Sequence, residues 1–169
     1  MSMHGSPSRF AVAACLAMLL SACATTTRQP STVVDAGMYD AAFKGCSPVA
    51  QDEPAVGNWL AVRKEPGIAG EIRLQIRLHA DGSMHYVEQL KRGNRPPQSL
   101  DETGCWYREE GTLVLRTTHS NGSQVDAQDP IYVNRHAIAA LDGKGMALNM
   151  HGKEIRLRRA SPDYRLPIL

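Results

Sequence analysis

The chain lacks the starting points of most enzyme chemistries. It has no GxSxG nucleophile elbow, no glycine-rich phosphate loop and no HExxH pair, so the common routes to acyl transfer, nucleotide chemistry and zinc hydrolysis are missing. Aromatic residues are scarce, 5% of 169 residues with only two Phe, which favours a modest interior cavity over a dense aromatic plug. Neither sign of charge dominates: 19 basic side chains face 17 acidic ones, so there is no electrostatic footprint for nucleic acid. The apolar run "FAVAACLAMLL" at residues 10–20 is short, about eleven residues where a membrane-crossing helix needs roughly 20. No long helical period follows residue 56, which points away from α/β and helical folds.

What is present begins with that run. Before it lies "MSMHGSPSR", with Arg9 its only formal side-chain charge, and after it come the small residues Ser21 and Ala22. This is the order of a secretory leader: n-region, h-region, cleavage site. Leu20-Ser21-Ala22-Cys23 resembles the lipobox of bacterial lipoproteins. The resemblance implies cleavage of residues 1–22, acylation of Cys23, and a protein anchored to the membrane through acyl chains without spanning it. Ala24, where an Asp would signal retention, resembles an outer-membrane address under the enteric sorting rule, so the expected location is the bacterial outer membrane, facing the periplasm. The following "ATTTRQPSTVVDAG" reads as a flexible tether, because its Thr, Pro and Gly offer nothing for a core helix to pack on.

Cysteine usage follows from that reading. With Cys15 in the leader and Cys23 acylated, Cys46 and Cys105 remain, and two thiols in an oxidising envelope point to one disulfide. It would close a long loop and stabilise by about 4 kcal/mol in the chain-entropy view. Two separate buried thiols are the alternative, since spacing does not place Cα atoms within bonding reach. Two cysteines alone cannot build a structural zinc site.

Residues 38–43 could form a short helical turn, and from Val56 onward the period becomes two. "GNWLAVR" reads as a first strand and "EIRLQIRLH" as the clearest: Ile72, Leu74, Ile76 and Leu78 face one way, Arg73, Gln75, Arg77 and His79 face the solvent. The turn that follows decides register. A three-residue loop, Ala80-Asp81-Gly82 with Gly82 left-handed, pairs Leu78 with Met84 and turns Met84, Tyr86, Glu88 and Leu90 inward; a two-residue turn would send Lys91 inward instead. Residues 93–103, with Pro96-Pro97, read as a loop, and so do residues 119–130. Short strands recur between turns to "IRLRR", eight in all, which predicts an all-β fold: an antiparallel up-and-down eight-stranded barrel over residues 56–160, after an acylated Cys, tether and pre-barrel segment at 23–55 and before a tail at 161–169.

Gly57-Asn58-Trp59 resembles the GxW motif of the lipocalins, and "RLRR" at 156–159 resembles the last strand that supplies the Arg packed over that Trp. The stretch from "RLHADGSMHY" to "GCWYREEGTLVLR" is similar in rhythm to bacterial lipocalin-like domains. The resemblance implies a barrel closed at one end by Gly57, Trp59 and either Arg158 or Arg159. Ile76, Met84, Tyr86, Glu88, Met146, Leu148 and Met150 are the candidates to line a ligand, the Met stripe being equally the pattern of a filled core.

His79 and His85 flank the first hairpin and read as solvated turn residues, without a third ligand for a metal. His119, Ser120 and Asp126 share a loop, but sequence proximity supplies no oriented base. No cofactor is implied, and the chain reads as a binding protein rather than an enzyme. Two functions fit: a barrel that binds a small apolar or amphiphilic ligand in the envelope, or a filled barrel that docks an envelope protein partner, as inhibitor and stress-response modules do, through residues 93–103 and 120–130. The tail "SPDYRLPIL" can pack back on the barrel or reach a partner.

Overall fold

In the computed structural model, which describes residues 45–167, eight antiparallel strands close into a barrel and a ninth, very short strand lies outside the ring. The leader, Cys23, the tether and the helical turn expected at 38–43 lie outside the described residues. The strands are β1 (Gly57–Arg63), β2 (Glu71–Leu78), β3 (Ser83–Lys91), β4 (Gln98–Glu109), β5 (Thr112–Ser120), β6 (Ser123–Gln124), β7 (Val133–Leu141), β8 (Gly145–Met150) and β9 (Lys153–Arg159). Each strand of the ring pairs with the next, β5 pairing directly with β7 while β6 forms a spur on β5. The ring closes where β9 meets β1, Trp59 opposite Arg159 and Leu60 opposite Arg158. Closure leaves no free edge in the ring to recruit another chain. No α-helix occurs among the described residues; one 3₁₀ turn, Pro130–Tyr132, leads into β7, its N-terminus capped by the Asp129 carboxylate accepting from the Ile131 amide.

The register of the first hairpin follows its turn. Leu78 stands opposite Met84, and Gly82 takes the left-handed conformation at φ 82° that the three-residue loop requires. A Cβ at Gly82 would also come 2.0 Å from the Ser47 carbonyl oxygen, so the residues before the barrel pack directly on this turn. The β2 alternation holds, with Ile72, Leu74, Ile76 and Leu78 all buried.

Two expected loops contain strand. Residues 98–103 begin β4, Ser99, Asp101 and Thr103 alternating with Leu100 and Glu102; Pro96-Pro97 ends before the ladder starts, because a proline has no amide to donate. Residues 119–124 form a tight hairpin with Asn121 at φ 48° and Gly122 at φ 79°, the paired positive angles of a two-residue turn. The remaining loop at that point is 125–129.

The middle of the outer face of β1–β3, at Asn58, Leu60, Gln75, Val87 and Gln89, is dry, contrary to the expectation of a solvated face. Residues 160–167 lie across it and packing back is the tail's disposition. Asn58 Nδ2 donates to the carbonyls of Ser161 (2.6 Å) and Tyr164 (3.0 Å); Gln75 donates to Tyr164 O (2.8 Å) and accepts from the Leu166 amide (2.9 Å); Gln89 donates to Pro167 O (2.5 Å). Gln75 and Gln89 are buried because the tail's backbone replaces water as their partner. Leu166 seats between Leu60 and Val87. Leu166→Ala is expected to cost about 2–3 kcal/mol in urea unfolding, the range for emptying a buried leucine site.

The interior is one apolar cluster from Trp59, Ala61, Leu74, Ile76, Leu78 and Met84 through Trp106, Leu113 and Leu115 to Met146, Leu148, Ile155 and Leu157. An eight-stranded ring is just wide enough to be filled by its own side chains. At the Trp59 end, residues 45–56 cover the barrel, held by the Val49 amide on the Ala80 carbonyl (3.0 Å) and by a disulfide between Cys46 and Cys105, whose Cα atoms are 5.1 Å apart.

Candidate functional site

The two ends of the barrel differ in chemistry. At the closed end the Arg159 guanidinium lies 4.2 Å over the Trp59 ring. It donates from Nη1 to Val56 O (2.8 Å), from Nη2 to Pro54 O (3.0 Å) and from Nε to Gly143 O (2.8 Å). The indole Nε1 donates to Ala55 O at 2.8 Å. Gly57 is required here: its φ is 152°, and a Cβ would lie 2.1 Å from Arg159 Nη1. Of the two candidate arginines, Arg159 therefore closes the barrel and Arg158 is exposed. This end is a structural plug, every polar atom committed to backbone.

Ile76, Met84, Met146 and Leu148 belong to the filled core, where side chains of facing strands interdigitate, and Met146 also borders an open groove with Ala147, Arg156 and Leu157. Tyr86, Glu88 and Met150 are different. They lie toward the opposite end, where the core stops and two adjoining cavities of about 310 and 290 Å³ open to solvent, sharing Met150 and His151. This mouth is framed by the last residues of β1, β3 and β8 and the first of β2, β4, β7 and β9, together with the 3₁₀ turn.

The larger cavity is lined by Tyr86, Leu100, Glu102, Leu115, Tyr132, Asn134 and His136, with Ile131 and His151 at its edge. The smaller is lined by Arg63, Glu65, Ile68, Ile72, Glu88, Lys153 and Ile155. Glu88, which the hairpin register turns inward, accepts from the Tyr86 hydroxyl (3.1 Å) and lies 3.6 Å from Arg63 Nη2. Arg63 also reaches Glu65 at 3.1 Å, and Lys153 pairs with Glu65. Hydrogen bonds from Lys153 and Arg63 hold the Glu65 carboxyl below the usual carboxylate range.

Burial sets the protonation of the other groups. It pushes the Tyr86 phenol far up, with the Glu88 charge adding to the shift, so Tyr86 stays a donor. It raises the Glu102 carboxyl, and hydrogen bonds from the Thr117 and Ser120 hydroxyls only partly draw it back; the Thr117 bond is 3.3 Å long. It lowers His136, and His151, whose ring meets it edge-on at 6.5 Å, lowers it further. At neutral pH His136 is an uncharged imidazole.

Among the described residues no group of three or more His, Cys, Asp and Glu is placed to hold a metal. His85 is not a free turn residue: Arg77 Nη2 contacts its Nδ1 and Asp101 its Nε2, which leaves the proton on Nε2 because a guanidinium can only donate. His119 bonds Thr118 Oγ1 at 3.1 Å on the exposed rim.

Several mouth residues escaped the sequence reading. Leu100 and Glu102 fall in the stretch that reads as a loop, and Tyr132, Asn134, His136 and His151 carry no motif. The signal for the first pair was present as the alternation "SLDET" after Pro96-Pro97, whose polar members concealed the period of two. The others converge only because β5 skips the spur to pair with β7. Compared with family models, curated proteins and solved structures, the chain finds no match in any of the three.

Proposed function

We propose that this is a lipid-anchored protein of the bacterial envelope whose lipocalin-like barrel binds a small amphiphilic molecule in its mouth. One observation carries the binding reading. The Trp59 end is plugged by stacked and hydrogen-bonded side chains, while at the opposite end two adjoining cavities of about 310 and 290 Å³ lie between an apolar floor and a polar wall. Leu115, Met150, Ile72 and Ile155 supply the floor, and Arg63, Glu88, Asn134 and His136 the wall. Pockets of this size and mixed lining suit a short ligand rather than a long acyl chain. The leader pattern and Leu20-Ser21-Ala22-Cys23 support the anchor, and a cystine at Cys46 and Cys105 suits an oxidising compartment.

Native mass spectrometry tests the binding. Residues 24–169, exported to a periplasm without the anchor, are expected to carry a discrete co-purifying mass that organic extraction removes. A clean apo mass that also ignores added fatty acids and phospholipids overturns the reading. For the anchor, Cys23→Ser is expected to abolish acylation and shift the protein out of the outer-membrane fraction; an unchanged distribution overturns that part.

A second reading draws on the same end of the barrel. Ile68 in the β1–β2 loop, Leu100 on β4 and Ile131 in the 3₁₀ turn, the last 73% exposed, are apolar residues at the mouth suited to a protein partner. Photocrosslinkers at Ile68 and Ile131 that capture no envelope protein count against it.

A further inference from the structure

We infer that the ligand of the mouth is an organic cation, an amine or ammonium group on a short apolar body, with Glu102 as its counter-charge and Tyr86 and Tyr132 as its aromatic walls. The inference rests on the mouth being a binding site and names the ligand's class.

Charge accounting around the mouth leads to it. In the smaller cavity Arg63 pairs with Glu65 and Glu88 and Lys153 with Glu65, so its two cations face two carboxylates, with Arg63 Nη1 alone left without a partner. The larger cavity has one carboxylate, Glu102, and no Lys or Arg in its lining. Among the described residues Glu102 forms no ion pair; its partners are neutral hydroxyls. A half-buried carboxylate without a cation is held at a cost that a charge supplied from outside would offset.

The candidate ligands separate on the same ground. In the larger cavity a carboxylate or phosphate would meet Glu102 and find no Lys or Arg in the lining, the one unpartnered guanidinium nitrogen, Arg63 Nη1, belonging to the smaller cavity beside Glu88. A neutral molecule would take the cavity but leave Glu102 uncompensated. An ammonium group pairs with Glu102, while the faces of Tyr86 and Tyr132 attract a desolvated cation through their quadrupoles. Asn134 and the neutral His136 offer further acceptors, and Leu115 and Met150 bed the apolar body.

The pH dependence has a definite sign. Glu102 attracts the ligand only when ionised. It is faced by Thr117 and Ser120 from β5, Tyr86 and Glu88 from β3, Asp101 on its own strand, His136 from β7 and His151 from the last turn, with Arg63 and Lys153 beyond. Burial raises its carboxyl above the ordinary range, so cation binding weakens as pH falls and starts to weaken at a higher pH than it would for a free carboxylate. Protonation of His136 adds repulsion in the same direction, and this part of the pH effect persists when Glu102 is replaced.

Isothermal titration of residues 24–169, which retain every strand and contact described above, with hexylammonium, 1-hexanol and heptanoate tests the assignment, since the three share a six-carbon chain. Hexylammonium is expected to bind at least about tenfold more tightly than hexanol, and heptanoate most weakly. Glu102→Gln, which keeps an acceptor for Thr117, is expected to erase the preference and bring hexylammonium to the affinity of hexanol for the same variant. Tyr132→Leu, which leaves the carboxylate in place, is expected to weaken hexylammonium more than hexanol. Hexanol or heptanoate binding as well as hexylammonium, or a Glu102→Gln variant that keeps the preference, overturns the cation assignment while leaving the mouth a binding site. Failure of all three to bind overturns the binding reading itself.

Discussion

Trp59→Ala is expected to cost about 3–5 kcal/mol, a large part of the stability of a domain this size. Trp59 is fully buried, its ring face covered by Arg159 and its Nε1 on the Ala55 carbonyl. Truncation therefore does three things at once. It leaves a cavity at the closed end, removes the surface on which the guanidinium stacks, and frees the Ala55 carbonyl beneath residues 45–56. The loss should appear as a lower urea midpoint at an unchanged slope, because the surface exposed on unfolding is nearly the same. Arg159→Lys should lose less but still measurably, since an ammonium cannot reach Pro54, Val56 and Gly143 together as the planar fork does. A Trp59→Ala midpoint equivalent to less than about 1 kcal/mol would remove the plug from the list of what holds the barrel together.

Breaking the disulfide should cost about 4 kcal/mol. The bond joins residues 59 apart in sequence, and the chain-entropy cost of leaving a loop of that length open in the unfolded state is of this size. The cross-link ties residues 45–50 to the end of β4, next to the Gly82 turn on which Ser47 rests. A reductant should lower the urea midpoint of the wild-type protein and leave the Cys46→Ser, Cys105→Ser double variant unmoved. Equal midpoints for oxidised wild type and double variant would mean that the native contacts of residues 45–56 do the same work without the cross-link.

The mouth shows why a site is harder to read than a strand. The inward direction of Tyr86, Glu88 and Met150 is legible because each lies in a hairpin whose alternation and turn chemistry fix it. Glu102 was missed because "SLDET" has the composition of a loop, and only pairing with β3 makes it a strand. Asn134 and His136 face it from a strand that comes opposite β5 across a spur of sequence with no periodicity. Ile76, Met84, Met146 and Leu148 were placed on the correct face but the wrong level: alternation says inward, not how deep the packing reaches. The buried Gln75 and Gln89 teach the converse, since their outward direction was legible while the tail that dries them was not.

By itself the sequence determined the all-β class, most of the strands and the three-residue turn with left-handed Gly82. These follow from neighbouring residues, where side-chain alternation and turn angles act over a few bonds. Only the tertiary structure decided that Arg159 rather than Arg158 closes the barrel, that the interior fills from that end, that residues 160–167 strap β1–β3, and that Glu102 faces Tyr86, Tyr132 and His136. Those outcomes depend on which faces meet when β9 closes on β1, and the free energy that selects among them comes from packing across the ring rather than from any local pattern.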